Sequence, residues 1–513
     1  VNAPYPDPSR RFLITFSVML GVAMVALDTT IANVALPQMQ SSMSASPDQV
    51  VWVLTSYLIA SAIMTPLASW LASRFGRKRV ITISVAGFTL ASLACGLANS
   101  LPTMVVARLI QGLCGSGLIP LSMATLLDIN PPENHGKAMA VAGLGSMLGP
   151  LLGPTVGGWL TDAFSWRWVF LINVPLGVIA FLGVTTYMLE ARDKAMARFD
   201  FLGFITFSMF LGSFQLMMDR GERADWFESR EVWIEALLMV IFGYLALVHI
   251  VTGKNTFIRV EVFKDRNFAL GCLVSAMVGV VAFATIPMVT IMMQSLLGFT
   301  PFQSGLYSLP RGIGTIMGLI LVGQLVGKID ARILLGTGLS MTALGLFLYS
   351  RMSLGVDVPP LLVAGFIQGF SGGLIISPLS TLVFSTLGPG YRNEGAALFA
   401  LTRNIGASIG ISALGAMTTH NTATVQNRLA EAIRPDNPLL ASVSPDFSFD
   451  SIESIARMAR EIGRQATMVA YIDGFWLTCL LALAMLPFVF LMNSQKRPAA
   501  GEASMPQTQV MAE

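Results

Sequence analysis

Asp28 interrupts an otherwise apolar run from Phe12 to Leu36. A carboxylate at the centre of a membrane helix costs about 2.5–3.5 kcal/mol on insertion scales, so it must face a cavity or a cation. It is either a hydrogen-bonded strut between helices or a carboxyl that takes up and releases a proton. Low dielectric favours the neutral form of such a group and a nearby cation the charged form, so the two can be balanced near neutrality. Arg108, inside another apolar run, is the natural cation. Arg311 and Arg403 also lie in apolar stretches, placed to bind backbone carbonyls at a helix break or to act directly on a ligand. Asn33, Gln111 and Gln368 add uncharged hydrogen-bonding groups for a ligand.

Such groups handle protons and ligands; they do not form a catalytic cluster. A GxxxxGK[ST] phosphate loop is missing from the sequence, which argues against an ATP-driven pump. His135, His249 and His420 are far apart and show no metal-ligand spacing, so no metal site is expected. Cys95, Cys114, Cys272 and Cys479 sit in apolar stretches without paired spacing, as inert buried thiols do. The expectation is a protein that is no enzyme and needs no cofactor.

The elements that must position these groups are membrane helices. Of 513 residues, 54% are hydrophobic and 12% charged. Soluble domains carry about a quarter charged residues. The mean hydropathy is +0.68. The net charge of +3 is too weak to imply a nucleic-acid or other acidic partner. Apolar segments near 12–36, 50–72, 80–98, 103–127, 138–160, 168–188, 200–218, 231–251, 268–293, 304–326, 333–350, 358–384, 394–416 and 470–492 each suit a tilted span of ~20 residues. The first is too long, and lacks the small-residue site, for a cleaved signal peptide. Helix 1 then runs outward with Asp28 about eight residues, ~12 Å, from its outer end, and helix 4 runs inward with Arg108 about five residues, ~8 Å, deep. The two depths roughly match.

An even number of spans puts both termini on one side. Placing them in the cytoplasm assigns most of the 32 lysines and arginines, including Arg74, Arg77, Lys78, Arg79, Lys137, Lys254, Lys264 and Lys328, to inner loops. The one long outer loop, 417–469, holds Ile452, Ile455, Met458 and Ile462 at helical spacing, which predicts an amphipathic helix on the bilayer or the protein's outer face. The residues 496–513 read as a disordered cytoplasmic tail.

The chain repeats itself. Ile110-Gln111-Gly112 with Pro120 recurs as Ile367-Gln368-Gly369 with Pro378, about 257 positions on, and the turn at Ser69–Arg74 recurs in outline at Gly323–Lys328, about 254 on. Six-helix halves related by a repeat are the layout of transporters that rock around a central site. The expected organisation is a six-helix bundle over 1–190, two inserted helices over 191–260 and a second six-helix bundle over 261–495 that includes the outer loop.

On these residues the chain resembles the fourteen-helix drug:proton antiporters of the major facilitator superfamily, the EmrB/QacA-like group. The carriers are Leu27-Asp28-Thr29-Thr30 through Asn33 to Pro37, the loop Ser69–Arg79, Arg108-Leu109-Ile110-Gln111-Gly112, the run Gly149–Gly158, and Trp166-Arg167-Trp168 through Asn173-Val174-Pro175. The resemblance implies an all-α polytopic membrane protein with the major facilitator fold, two six-helix bundles plus two inserted helices. It also implies that helices 1 and 4 line a central cavity, and that the basic turn of Arg74, Gly76, Arg77 and Arg79 is a cytoplasmic gating latch. Ser69 and Ser73 depart from the Gly and Asp usual in that loop, which puts a charge relay through position 73 in doubt.

Gly145, Gly149, Gly153 and Gly157 recur every fourth residue, with Pro150 and Pro154 at the same interval and Gly158 adjoining. That spacing makes a bare face for close helix contact, bent by the prolines. In the family it marks antiporters, and tight contact between the halves there is expected to prevent leak. The function implied is proton-coupled export of amphipathic or hydrophobic small molecules across the cytoplasmic membrane, that is, multidrug efflux. An exporter of one metabolite, lipid or siderophore is the alternative, and a proton-coupled importer a more distant one. The resemblance further implies, in a Gram-negative host, assembly with a periplasmic adaptor and an outer-membrane channel.

Overall fold

The computed structural model describes residues 5–131, 145, 149, 152–190, 200–221, 224–253, 260–325, 328–387, 392–431, 433–434 and 451–493. Their principal elements are helices: α1 (Pro8–Ser42), α2 (Trp52–Phe75), α3 (Arg77–Leu97), α4 (Leu101–Ile129), α5 (152–163) and α6 (Trp168–Tyr187). Then come α7 (Phe201–Arg220), α8 (Arg230–Thr252), α9 (Arg266–Leu296), α10 (Pro301–Leu325), α11 (Ala331–Ser350), α12 (Val358–Ser385), α13 (Arg392–Glu431) and α14 (Ile452–Leu491). Among the described residues, 12 helices are long and apolar enough to cross a membrane. The other two expected segments are α2, whose apolar stretch is Trp52–Thr65, and 138–160, which lies partly outside the described residues. The fold is an all-α membrane bundle.

Large apolar side chains cover the outside of the bundle: Ile83, Leu90, Leu182, Trp233, Leu237, Tyr244 and Ile320 are all exposed. In water that surface would aggregate, whereas lipid tails solvate it at no cost. Several helix starts carry a side-chain cap. Ser100 accepts from the Thr103 amide at α4, Asp265 from Phe268 at α9 and Asp330 from Arg332 at α11.

The inserted pair α7–α8 packs along the bundle edge. Gln215 on α7 donates to Ser412 Oγ at 2.8 Å and accepts from Ser408 Oγ at 2.6 Å, both on α13. At its other end Phe201 stacks edge-on against Trp70 of α2, 5.5 Å between centroids. The pair therefore touches both halves.

The outer loop differs from its expectation. α13 stays helical to Glu431, and the amphipathic segment at Ile452 is the start of one unbroken helix that continues to Ala484. A separate helix lying flat on the bilayer is not what forms. Hydropathy marks where lipid contact ends, but helical hydrogen bonding continues while residues of good helix propensity follow.

Candidate functional site

Arg108 and Gln111, three residues apart on α4, project from one face. Gly112 lets that face lie on α2, since a Cβ there would strike the Tyr57 carbonyl. The Arg108 guanidinium consequently lies over the Tyr57 ring, 4.3 Å from its centroid, with Phe170 on a second side at 5.6 Å. Its Nε donates to the Val53 carbonyl at 2.8 Å. Its Nη1 donates to Asp28 Oδ2 at 2.6 Å and to Gln111 Oε1 at 2.7 Å. The pairing expected from matched depths is present.

Asp28 is held from the other side by two amides. Gln111 Nε2 donates to its Oδ1 at 2.9 Å and Asn173 Nδ2 at 3.2 Å. Both amides also donate to Ser92 Oγ, at 2.8 and 3.0 Å. Asp28 is 2% exposed, Arg108 1%, and Gln111, Asn173 and Ser92 are fully buried. Five helices, α1, α2, α3, α4 and α6, thus converge on one carboxylate. A buried ion pair needs this much hydrogen bonding to offset desolvation.

Gln111 belongs to this network, so its expected place in the substrate cavity is corrected. Its carbonyl and amide are both consumed by Arg108, Asp28 and Ser92. Asn33 does line a cavity. Together with Thr29, Thr30, Leu54, Tyr57, Leu58 and Arg108 from the first half, and Phe283, Ile286 and Ile411 from the second, it encloses about 40 Å³ between the halves. That is room for little more than water. Arg108 is thus at once the partner of Asp28 and part of the cavity wall.

Above the cavity, on the face away from the N-terminus, the halves are clamped. Gln38 Nε2 donates to Gln294 Oε1 at 3.1 Å, and Gln294 Nε2 to the Val34 carbonyl at 2.9 Å. The backbone of α5 at Pro154 and Gly158 abuts α10 at Gly305 and Pro301, and Thr155 Oγ1 donates to the Gly305 carbonyl at 3.3 Å. On the N-terminal face Arg77 pairs with Asp128 and Thr386 Oγ1 donates to Asp265 at 2.8 Å, each bond within one half. The molecule is closed on the far side.

The glycine stripe serves another contact than the one expected. Gly145, Gly149, Gly153 and Gly157 face Met19, Ala26, Thr30 and Ile31 of α1, within the same half, and Thr30 Oγ1 donates to the Gly149 carbonyl at 2.9 Å. The neighbouring Pro154 and Gly158 meet the other half. A spacing of four keeps residues on one helix face but does not say which neighbour that face meets. Pro150 lies outside the described residues.

In the basic turn, Gly76 has φ +94°, a left-handed geometry that favours glycine, and Arg77 reaches back to Asp128 at the end of α4. Arg74 and Arg79 are exposed. Ser73 Oγ makes a local bond, donating to the Trp70 carbonyl at 2.8 Å. Gln368 is buried on α12, and Arg311 and Arg403 are half-buried on α10 and α13. The supporting groups Ser92, Tyr57 and Asp128 carried no signal in the sequence beyond their types. Asn173 stood in the Asn173-Val174-Pro175 motif without a role.

The fold and this site define a membrane transporter built of two repeated halves. The chain matches the profile of the Major Facilitator Superfamily over residues 18–411. It is 32% identical over 490 residues to the multidrug export protein EmrB of Escherichia coli K12, covering 94% of this chain and 96% of that protein. It is 30% identical over 483 residues to the fatty acid resistance protein FarB of Neisseria gonorrhoeae, covering 93% and 95%. A bacterial homolog of the human lysosomal transporter Spinster shares the fold, with a TM-score of 0.65 at 17% identity over 95% of this chain and 97% of that one. The chain belongs to the major facilitator superfamily, in its EmrB-like group.

Proposed function

We propose that the protein exports amphipathic or hydrophobic compounds in exchange for protons, with Asp28 carrying the coupling proton and Arg108 setting how firmly it is held. The observation that carries this reading is the buried Asp28–Arg108 pair bordering a cavity between two halves. In the closed arrangement Arg108 occupies the carboxylate, and a substrate that draws Arg108 towards the cavity would leave Asp28 open to a proton. The Asn173 Oδ1 has no partner, so a turn of that amide would present an acceptor to the carboxyl proton. The names of the relatives, multidrug export and fatty acid resistance, support export of apolar compounds.

The basic residues of the N-terminal face support a cytoplasmic position for both termini. In that orientation the clamp at Gln38 and Gln294 closes the outer side, and the site opens next towards the cytoplasm, where a substrate to be exported enters. At 40 residues α13 spans roughly 60 Å, about twice the hydrocarbon core. Its outer end and that of α14 project beyond the bilayer, as docking of a periplasmic adaptor linked to an outer-membrane channel requires. The FarB likeness favours, as a second reading, an exporter of a narrower lipid-like class.

The test is efflux of a panel of dyes and antimicrobials from cells, with and without a proton gradient. Export that persists after the gradient is collapsed would overturn proton coupling.

A further inference from the structure

The two halves pack by matched contacts. Gly112 abuts the Tyr57 carbonyl and Gly369 the Arg311 carbonyl; Gly149 and Gly153 abut Ala26 and Thr30, and Gly406 and Gly410 abut Ala276 and Val280. By these contacts Arg311 stands in the second half where Tyr57 stands in the first. Gln368 stands for Gln111, Gly365 for Arg108 and Val278 for Asp28. The second half therefore has an arginine on α10 packed against the stretch of α12 that carries its glutamine, but an apolar residue in place of the carboxylate.

The polar groups there are left incomplete. Among the described residues no carboxylate meets the Arg311 guanidinium, and Gly365, at the Arg108 position, supplies no side chain of its own, the Tyr349 hydroxyl lying 3.3 Å from where its Cβ would be. Gln368 Oε1, on a side chain 6% exposed, has no donor, and Arg403 Nε is likewise buried without a partner. An unpaired charge and an orphaned acceptor are both costly inside a membrane protein, and such groups are retained where a ligand completes them.

We propose that Arg311 and Gln368 bind the anionic head of an amphipathic substrate, a carboxylate on an apolar tail, so that the substrate supplies the carboxylate the second half lacks. The first half shows the arrangement: Gln111 accepts from Arg108 through Oε1 and donates to Asp28 through Nε2. Gln368 has the same two atoms to offer to Arg311 and a substrate carboxylate, and a planar guanidinium takes a carboxylate by two parallel bonds. Arg311 and Gln368 do not themselves line the cavity between the halves; Tyr57, the counterpart of Arg311, does, and the neighbouring Leu54, Leu58, Phe283, Ile286 and Ile411 offer apolar surface for the tail. This assignment rests on the export reading above and narrows its substrate class.

The test titrates dodecanoate and dodecyltrimethylammonium, matched tails of opposite charge, onto the purified full chain in a neutral detergent. Arg311→Gln is expected to weaken dodecanoate binding roughly tenfold or more while leaving the cation within about twofold, as loss of a charge-assisted bond predicts. Arg311→Lys should recover part of the loss, and Gln368→Leu should weaken dodecanoate alone. A melting curve of each variant, with the lysine variant in reserve, separates loss of the site from loss of the fold. Unchanged dodecanoate binding in Arg311→Gln, or equal weakening of both probes, overturns the proposal. Ethidium export by the wild type in proton-loaded vesicles is measured alongside. If ethidium is exported but dodecanoate binds no better than the cation, this inference fails and the export reading stands. If nothing is exported, the export reading fails, while charge-selective binding that depends on Arg311 still supports the anion site.

Discussion

Arg108 meets Asp28 at 2.6 Å across 80 positions of sequence, each side chain 1% exposed. Both residues belong to the same half, so rocking of one half against the other does not by itself pull them apart. What rocking changes is the cavity wall that Arg108 shares with Phe283, Ile286 and Ile411 of the second half. Coupling by this pair is therefore a matter of access: water or substrate reaching the guanidinium alters its hold on the carboxylate.

Asp28→Asn removes the charge opposite a buried guanidinium. Breaking one partner of such a pair costs about 3–5 kcal/mol, because the other charge stays unpaired. The variant should melt well below the wild type and lose drug-induced proton movement in reconstituted vesicles. The double variant Asp28→Asn with Arg108→Gln should regain most of the stability but none of the coupling. Wild-type proton exchange by Asp28→Asn would place the coupling site elsewhere.

Gly153→Leu puts a side chain against Thr30, where even a Cβ would collide. Overpacking of this kind costs about 1–3 kcal/mol. It should also break the bond from Thr30 to the Gly149 carbonyl and shift α1 near Asp28. Insertion should survive while transport falls away; normal efflux from a well-expressed variant would show that the contact between α5 and α1 is loose.

The Gln38–Gln294 bond closes one face of the molecule. Cysteines at these two positions, bridged by a short bis-thiol reagent, should stop transport, and a reducible bridge should restore it on reduction. The wild type, whose described cysteines include the buried Cys95, Cys272 and Cys479, is the control. Transport that continues with the bridge in place would mean that this face never opens.

Arg77→Asp and Asp128→Arg should each slow transport, and the two together should restore part of it. At 14% and 54% side-chain exposure the pair adds little to stability, so melting temperatures should barely move. Equal rates in all three variants would remove this ion pair from the gating step.

Topology has its own check. A reporter fused after Asn493 should lie in the cytoplasm and one inserted between Arg434 and Ser451 outside it, as basic residues on the N-terminal face require. Both reporters on one side would contradict a crossing by α14 and with it the count of fourteen spans.

Much of this was determined by sequence alone. Apolar runs long enough to span hydrocarbon dictate membrane helices, because a backbone in lipid must bond to itself. The repeat at Gln111 and Gln368 dictates two like halves, and an acid and a base at matched depth, Asp28 and Arg108, could be paired by helical rise. The neighbours of each helix face were decided only by tertiary packing. The glycine stripe read the same whether it met α1 or the other half. Gln111 read as a cavity residue until Asp28, Ser92 and Arg108 consumed its hydrogen bonds. Arg311 became the counterpart of Tyr57 only through two glycine contacts. Periodicity along a chain specifies which side chains share a face; which helix covers that face depends on contacts between residues distant in sequence, and one linear pattern is compatible with several such partners.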